Sequence, residues 1–265
     1  MNKNKVAVLL SGHVRSYESL QQVVEGMEEN LIKINPEYDF KFFMHTWNFL
    51  DWNHDGTVYH THNTESQKIL DIINLEKLSI TKNKNPILVN NDDRTHGQYT
   101  SVNECNKLKK EFENKNFSFD ISIRTRCDLK ICEPLDLSII DTSCFNITND
   151  AFGFADWFCI SSSKLIDYYS DLILNLESLV DENLKYGCYG KYSVDQHHLL
   201  LLYLKKIKHG LSFDDFVDLK INPEYNESYE KDAKEIENYV KRIDFLYYLI
   251  RSDGRSNDTF KKGYR

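Results

Sequence analysis

Residues 6–10, Val-Ala-Val-Leu-Leu, are apolar without alternation. A strand wetted on one side alternates polar with apolar, so a run of this kind belongs to a strand covered on both faces. Covering a sheet on both faces takes helices, and linking parallel strands takes a crossover of a dozen or more residues. The chain has to supply alternating strand and helix patterns, and it does. Residues 17–33 read as a helix and Pro36 stops it. Residues 38–46 read as a second strand, residues 66–73 as a helix, and 78–80 and 87–89 as short strands. Residues 90–98 are a polar connection. Val102, Cys105, Leu108 and Phe112 then form the stripe of a helix over 99–114. Residues 144–147 and 152–160 supply further strands, and Ser163 caps a helix over 164–183. The expectation is an α/β fold with a mixed, mostly parallel sheet flanked by helices.

Residues 119–131, Phe-Asp-Ile-Ser-Ile-Arg-Thr-Arg-Cys-Asp-Leu-Lys-Ile, begin as a half-buried strand and turn into charge. Phe119, Ile121 and Ile123 alternate with polar residues, whereas Arg124, Arg126, Asp128 and Lys130 share one parity and would project together if the strand stayed extended. Burying an unpaired ion costs several kcal/mol or more, so the segment reads as a strand leaving its sheet at a site. Two guanidiniums suit a bidentate anion such as a diphosphate. A carboxylate among them suits a hard divalent cation sharing the same phosphate oxygens. The alternative is a surface ladder of Arg-Asp pairs on an edge strand.

The first strand ends in a comparable way, in Ser11-Gly12-His13-Val14-Arg15-Ser16. Strand, glycine turn and helix is how open α/β sheets present a nucleotide phosphate. A single glycine makes neither a GxGxxG nor a Walker loop. The second strand ends in His45-Thr46-Trp47, again polar and aromatic groups at a strand end. Asp156 sits between Phe154 and Trp157, either paired in the core or lining a pocket floor. Asp195 lies in the first turn of an apolar helix over 199–207 that Ser193 opens, where it complements the helix dipole or faces the pocket. His54, His60 and His62, with Asp51 and Asp55, form a metal site or simply an irregular loop rich in Asn, Asp, His and Thr.

Composition narrows the function classes. The 265 residues are 41% hydrophobic and 13% aromatic, as in globular chains, and the formal net charge of −8 argues against broad binding to nucleic acid or anionic lipid. Six scattered cysteines without a CxxC pair read as reduced thiols, and the polar start and short first apolar run fit neither a signal peptide nor a membrane span. A cytoplasmic protein is expected. No linker rich in Pro, Gly or Ser divides the chain, so residues 1–225 are expected to form one domain. Residues 226–265 would form a C-terminal amphipathic helix, carried over 230–251 by Ile236, Val240, Ile243, Tyr247 and Ile250, and a basic tail. The helix would pack on that body or on a second subunit.

Residues 6–16, 42–47 (Phe-Phe-Met-His-Thr-Trp) and 120–129, followed by 156–161 (Asp-Trp-Phe-Cys-Ile-Ser) and Asp195-Gln196, resemble in sequence and order the nucleotide-sugar glycosyltransferases of the GT-A fold. The similarity is to the small enzymes of bacterial surface-polysaccharide clusters and large DNA viruses. It implies a Rossmann-like sheet over residues 1–225 and transfer of a sugar from a nucleotide-diphosphate donor to a hydroxyl of a glycan or glycolipid acceptor. Ser11, Gly12, His13, Arg15, His45, Arg124 and Arg126 would then surround the donor's diphosphate, and Asp128 would ligate Mn²⁺ or Mg²⁺. Asp195 or Asp156 would take the acceptor proton. The family's Asp-x-Asp stands here as Arg126-Cys127-Asp128, which leaves Arg126 as another means of neutralising the diphosphate. The competing expectations are a non-catalytic nucleotide-sugar or glycan-binding module and a metal-dependent hydrolase built on His54, His60 and His62.

Overall fold

A computed structural model describes residues 3–54, 57–82, 91–150, 153–176, 200, 203–204, 240–243 and 247–249. The first strand, β1 (Asn4–Ser11), occupies the middle of the main sheet. It pairs in parallel with β2 (Tyr38–Trp47) on one side and β6 (Ile121–Arg126) on the other. Its apolar run is buried to 1% exposure or less at each position from Val6 to Leu10, as a doubly covered strand requires. Beyond β2 lies β5 (Lys77–Thr81), again parallel. Beyond β6 lies β9 (Gly153–Ser162), antiparallel to both β6 and β8 (Phe145–Asp150). With β10 (Val240–Ile243) parallel to β8, the sheet has seven strands, β10-β8-β9-β6-β1-β2-β5. The mixed, mostly parallel sheet expected from the alternation of patterns is present.

Two cores follow from the two faces. Val6, Val8, Leu10, Ile121 and Ile123 face α1 (Tyr17–Met27) and α2 (Ser66–Ile72), meeting Leu20, Val23, Met27 and Ile69. Ala7, Leu9, Phe43 and Phe145 face α3 (Asn91–Glu113) and α4 (Ser163–Ser170), meeting Tyr99, Val102, Cys105, Ile166 and Tyr169. Each fully buried Leu or Phe contributes about 1.5–3 kcal/mol, so the central strand is the best-anchored part of the sheet. Lys109, fully buried on α3, is matched by Asp167 at 2.8 Å, Glu113 at 3.3 Å and the Ser163 hydroxyl at 2.5 Å. That closed network joins α3 to α4 and needs no ligand to explain it.

Helix α1 starts on a capping box between Ser16 and Ser19 and continues into a π-helical turn, Glu28–Ile32. There it grips the chain that follows β6. The Asn30 side chain donates to the Ile131 carbonyl at 3.0 Å, Leu135 N–H donates to the Asn30 carbonyl at 2.8 Å, and Leu137 N–H donates to the Asn35 side chain at 2.7 Å. Gly26 lets helix and chain touch, because a Cβ there would lie 2.7 Å from the Ile131 carbonyl oxygen and 2.8 Å from Lys130 Cγ.

Several sequence expectations need correction. Residues 51–62 are not an irregular loop: β3 (Phe49–His54) and β4 (Thr57–Asn63) form an antiparallel hairpin with a register shift between Leu50 and Asp51. Their Trp, Tyr, Val and Thr residues carry strand propensity that the polar residues between them obscure. Helix α3 begins at Asn91, inside the expected polar connection. Ser162, not Ser163, caps α4. The expected C-terminal helix over 230–251 is replaced at Val240–Ile243 and Tyr247–Leu249 by strands, β10 against β8 and β11 (Tyr247–Leu249) antiparallel to β7 (Leu129–Ile131). An apolar spacing near 3.5 suggested a helix, but these are β-branched and aromatic residues beside open strand edges, which take them as strands. The strand expected at residues 87–89 and the helix at 199–207 fall wholly or mostly outside the described residues; Leu200, Tyr203 and Leu204 are buried.

Gly26→Ala separates helix propensity from packing. Propensity favours Ala by about 1 kcal/mol, whereas forced contact with a backbone carbonyl costs about 1–3 kcal/mol. Urea denaturation should show a net loss of stability; a more stable variant would contradict the close approach to Ile131.

Candidate functional site

After β1 the chain builds β2 and β5 on one side, and only then crosses to build β6 on the other. The β1/β6 boundary is therefore a switch point in strand order, the place at which open α/β sheets generally bind ligands, outside the carboxyl ends of the strands. Ser11 is level with both His45 of β2 and Arg126 of β6. The three polar strand ends singled out in the sequence thus converge on one rim.

The first turn is fixed by its neighbours. Gly12 adopts φ +115°, a backbone conformation that L side chains rarely adopt, with open space where a Cβ would be. Its N–H donates to the Ser101 hydroxyl at 2.7 Å and approaches the His45 carbonyl at 3.3 Å. Val14 N–H donates to Thr46 Oγ1 at 3.3 Å, and the His13 ring lies 6.0 Å from that of Trp47. His45 is fully buried between Ser101 Oγ at 2.7 Å and Thr81 Oγ1 at 2.9 Å. Ser101 Oγ thus holds both the ring and, as a donor at 3.3 Å, the backbone carbonyl of His45, while Nε2 meets Thr81. Burial pushes the imidazole down to about 4, so it is neutral, and its bonds serve the turn's architecture.

The second turn faces the first. Beyond Arg126 the chain does not stay extended: residues 127 and 128 turn, so the single charged face predicted for 124–130 does not form. The Cys127 thiol donates to the Gly12 carbonyl at 3.6 Å. Asp128, 3% exposed in its side chain, accepts from Arg126 Nε and a terminal Arg126 nitrogen, each at 2.7 Å, and from Arg15 Nε at 3.3 Å. Burial would raise its carboxyl pKa, but Arg126 and then Arg15 outweigh it and hold the group well below the ordinary carboxylate range. Each arginine side chain is about one-fifth exposed, at 20% and 21%. Among the described residues the rim therefore carries two cations and one anion, the anion inside and the cations partly outside.

Beneath this pair lies a second polar layer. Arg124 is 1% exposed and donates to the Asp156 backbone carbonyl, which also accepts from Tyr169 Oη at 3.3 Å. The fully buried Asp156 side chain accepts from Gln98 of α3. Ser11 Oγ and Arg124 Nε are buried with no hydrogen-bond partner among the described residues. Alternation puts Ser11, Arg124 and Arg126 on the α3 face of the sheet.

Ser11, Gly12, His13, Arg15, His45, Arg126 and Asp128 are thus gathered at one place, with Arg124 and Asp156 behind it. Asp195 lies outside the described residues, and the side chains of His54, His60 and His62 are likewise not described. Sequence reasoning missed Ser101 and Gln98. The signal was available: from Cys105 the stripe of α3 continues toward its N-terminus with the polar Ser101 and Gln98, spaced by four and three.

The residues do not fit the Mn²⁺ or Mg²⁺ site that the resemblance implies. Hard cations take several oxygen ligands, whereas among the described residues the rim has one carboxylate and both its oxygens hold guanidiniums. Among the described residues no group of three or more His, Cys, Asp or Glu is arranged to hold a metal. A thiol nucleophile is equally unsupported, since burial raises Cys127 well above its usual value and Cys105 to about 12. No helix among the described residues is long and apolar enough to cross a membrane. No protein-family model matches the chain, and no curated protein is significantly similar to it.

The state of His45 yields a pH prediction. Its folded pKa lies below its unfolded value near 6.5, so below pH 6.5 the unfolded chain binds the proton first, and stability falls as pH drops toward 4. The full contribution is about 3 kcal/mol, from ~2.5 pH units at 1.36 kcal/mol each. Urea unfolding of His45→Gln between pH 7 and pH 4 should lack this part of the wild-type slope; parallel profiles would show that His45 titrates normally.

Proposed function

We propose that this protein is a glycosyltransferase that moves a sugar from a nucleotide-diphosphate donor to a hydroxyl of a glycan or glycolipid acceptor. The observation that carries the reading is the meeting of the Gly12 turn and the Arg126-Cys127-Asp128 turn at the switch point, tied by Arg15 to Asp128 at 3.3 Å and Cys127 to Gly12 at 3.6 Å. A glycine whose backbone is open to approach and two arginines on one carboxylate suit a compact, doubly charged phosphate group. In the transfer, the acceptor oxygen forms a bond to the anomeric carbon as the bond from that carbon to the phosphate oxygen breaks. The electron pair leaves with the nucleoside diphosphate. The acceptor proton goes to a carboxylate, for which Asp195 and Asp156 are the candidates. The work of the cradle is to stabilise the charge gathering on the leaving diphosphate.

A binding module that does not turn over is the second reading, favoured by one observation: Asp128 and Asp156 are both buried and both engaged. Donor turnover separates the two.

Incubation of the purified protein with a panel of nucleotide-diphosphate sugars should show at least one donor that raises the melting temperature and slowly releases free nucleoside diphosphate. Stabilisation without release selects the binding module, and no stabilisation by any donor removes both readings. Arg126→Ala should lower donor affinity by about 10- to 100-fold, the value of a charge-assisted bidentate contact, while leaving the far-ultraviolet circular dichroism unchanged.

A further inference from the structure

Resting on the donor reading above, we infer that the site binds the donor's diphosphate directly on Arg15 and Arg126, with no divalent cation between protein and phosphate, and that Asp128 is the internal counter-ion holding the two guanidiniums side by side.

Three features carry this. The first is the occupancy of Asp128. A carboxylate that ligates a metal directs lone pairs at it, but here Arg126 donates one hydrogen bond to each Asp128 oxygen at 2.7 Å and Arg15 donates another to Oδ2 at 3.3 Å. A cation entering there would have to break a buried bidentate pair and lie against two positive charges. The second is charge. Among the described residues two guanidiniums, of Arg15 and Arg126, meet the one rim carboxylate of Asp128, and Arg124 stands one strand step behind Arg126 on the same face, in the layer that holds Asp156. That is the balance an anion requires, whereas a metal site needs an excess of carboxylate. The third is the pair of unpartnered buried donors. Ser11 Oγ and Arg124 Nε lack a hydrogen-bond partner among the described residues, and both belong to the face that carries Arg126. Buried polar groups are nearly always satisfied, so unpartnered donors under a cationic rim point to an oxygen-rich ligand.

The carboxylate then has a positioning role. Two guanidiniums left alone side by side would repel and swing toward solvent; clipped to one buried carboxylate they are oriented before the ligand arrives, which lowers the ordering cost of binding. On binding, phosphate oxygens take the outward-facing part of each cation while Asp128 stays behind.

Titration calorimetry with inorganic pyrophosphate, uridine diphosphate and guanosine diphosphate, each in EDTA and in millimolar Mn²⁺, tests this on the intact chain. The expected result is that at least one probe binds with dissociation constants agreeing within about twofold between the two conditions. Arg15→Ala and Arg126→Ala should each weaken that binding at least ~10-fold in EDTA, and Arg126→Lys, which keeps the charge but loses the planar fork, should fall between. Binding that requires Mn²⁺ overturns the inference and leaves the donor reading standing. EDTA-resistant binding that both alanine variants retain also overturns it, and places the ligand elsewhere. Absence of binding by every probe in both conditions overturns the inference and the donor reading together.

Discussion

One buried carboxylate holds the working end of this molecule together. Asp128 stands where the chain leaves β6, pairs with the arginine two residues before it and also with the arginine that follows the β1 turn, and so ties together the loops of two neighbouring parallel strands. Burying three charged groups together is costly, and such clusters give little net stability compared with apolar packing. What the arrangement does provide is position: two cations at a fixed separation, partly open to solvent, over a glycine turn.

The rest of the fold can be understood as support for that position. β1 lies in the centre of the sheet, anchored on both faces, and its end is held by Ser101 and His45 from α3 and β2. On the far side the segment after Asp128 is held to α1 by Asn30, Asn35 and the bare Cα of Gly26. The turn that bears Asp128 thus has a fixed strand before it and a fixed segment after it. Neutral His45, committed to two hydroxyl partners, belongs to this scaffold, although its place at a strand end invites a role in binding.

Periodicity made the centre of the fold legible. The continuous run in β1, the alternation leading into β6 and the 3–4 spacing of α3 each have one physical reading, and the sheet contains them as expected. The three polar strand ends were legible as a break in the apolar pattern, although Arg124, Asp128 and His45 stay buried there and are satisfied by partners in place of solvent. The Arg126–Asp128 pair was less so: parity in an extended chain predicted four charges on one face, and the turn at 127–128 instead lets the carboxylate fold inward onto its neighbours. The hairpin at 49–63 and the strands near the C-terminus were misjudged where polar residues or a chance helical spacing outweighed the β-propensity of Trp, Tyr, Val and Ile. Asp156 had two open environments in the sequence, and it lies enclosed, with Gln98 on its side chain and Arg124 on its carbonyl.

The proposed site for a two-phosphate anion lies between Gly12 and the Arg15–Asp128–Arg126 cluster. A crystal structure of the protein with a bound nucleoside diphosphate tests it most directly. The account predicts phosphate oxygens within hydrogen-bond distance of both Arg15 and Arg126, over the backbone of Gly12, with the Arg126–Asp128 pair still in place. Phosphates bound away from this rim, or Asp128 swung out to coordinate a metal ion, would contradict it.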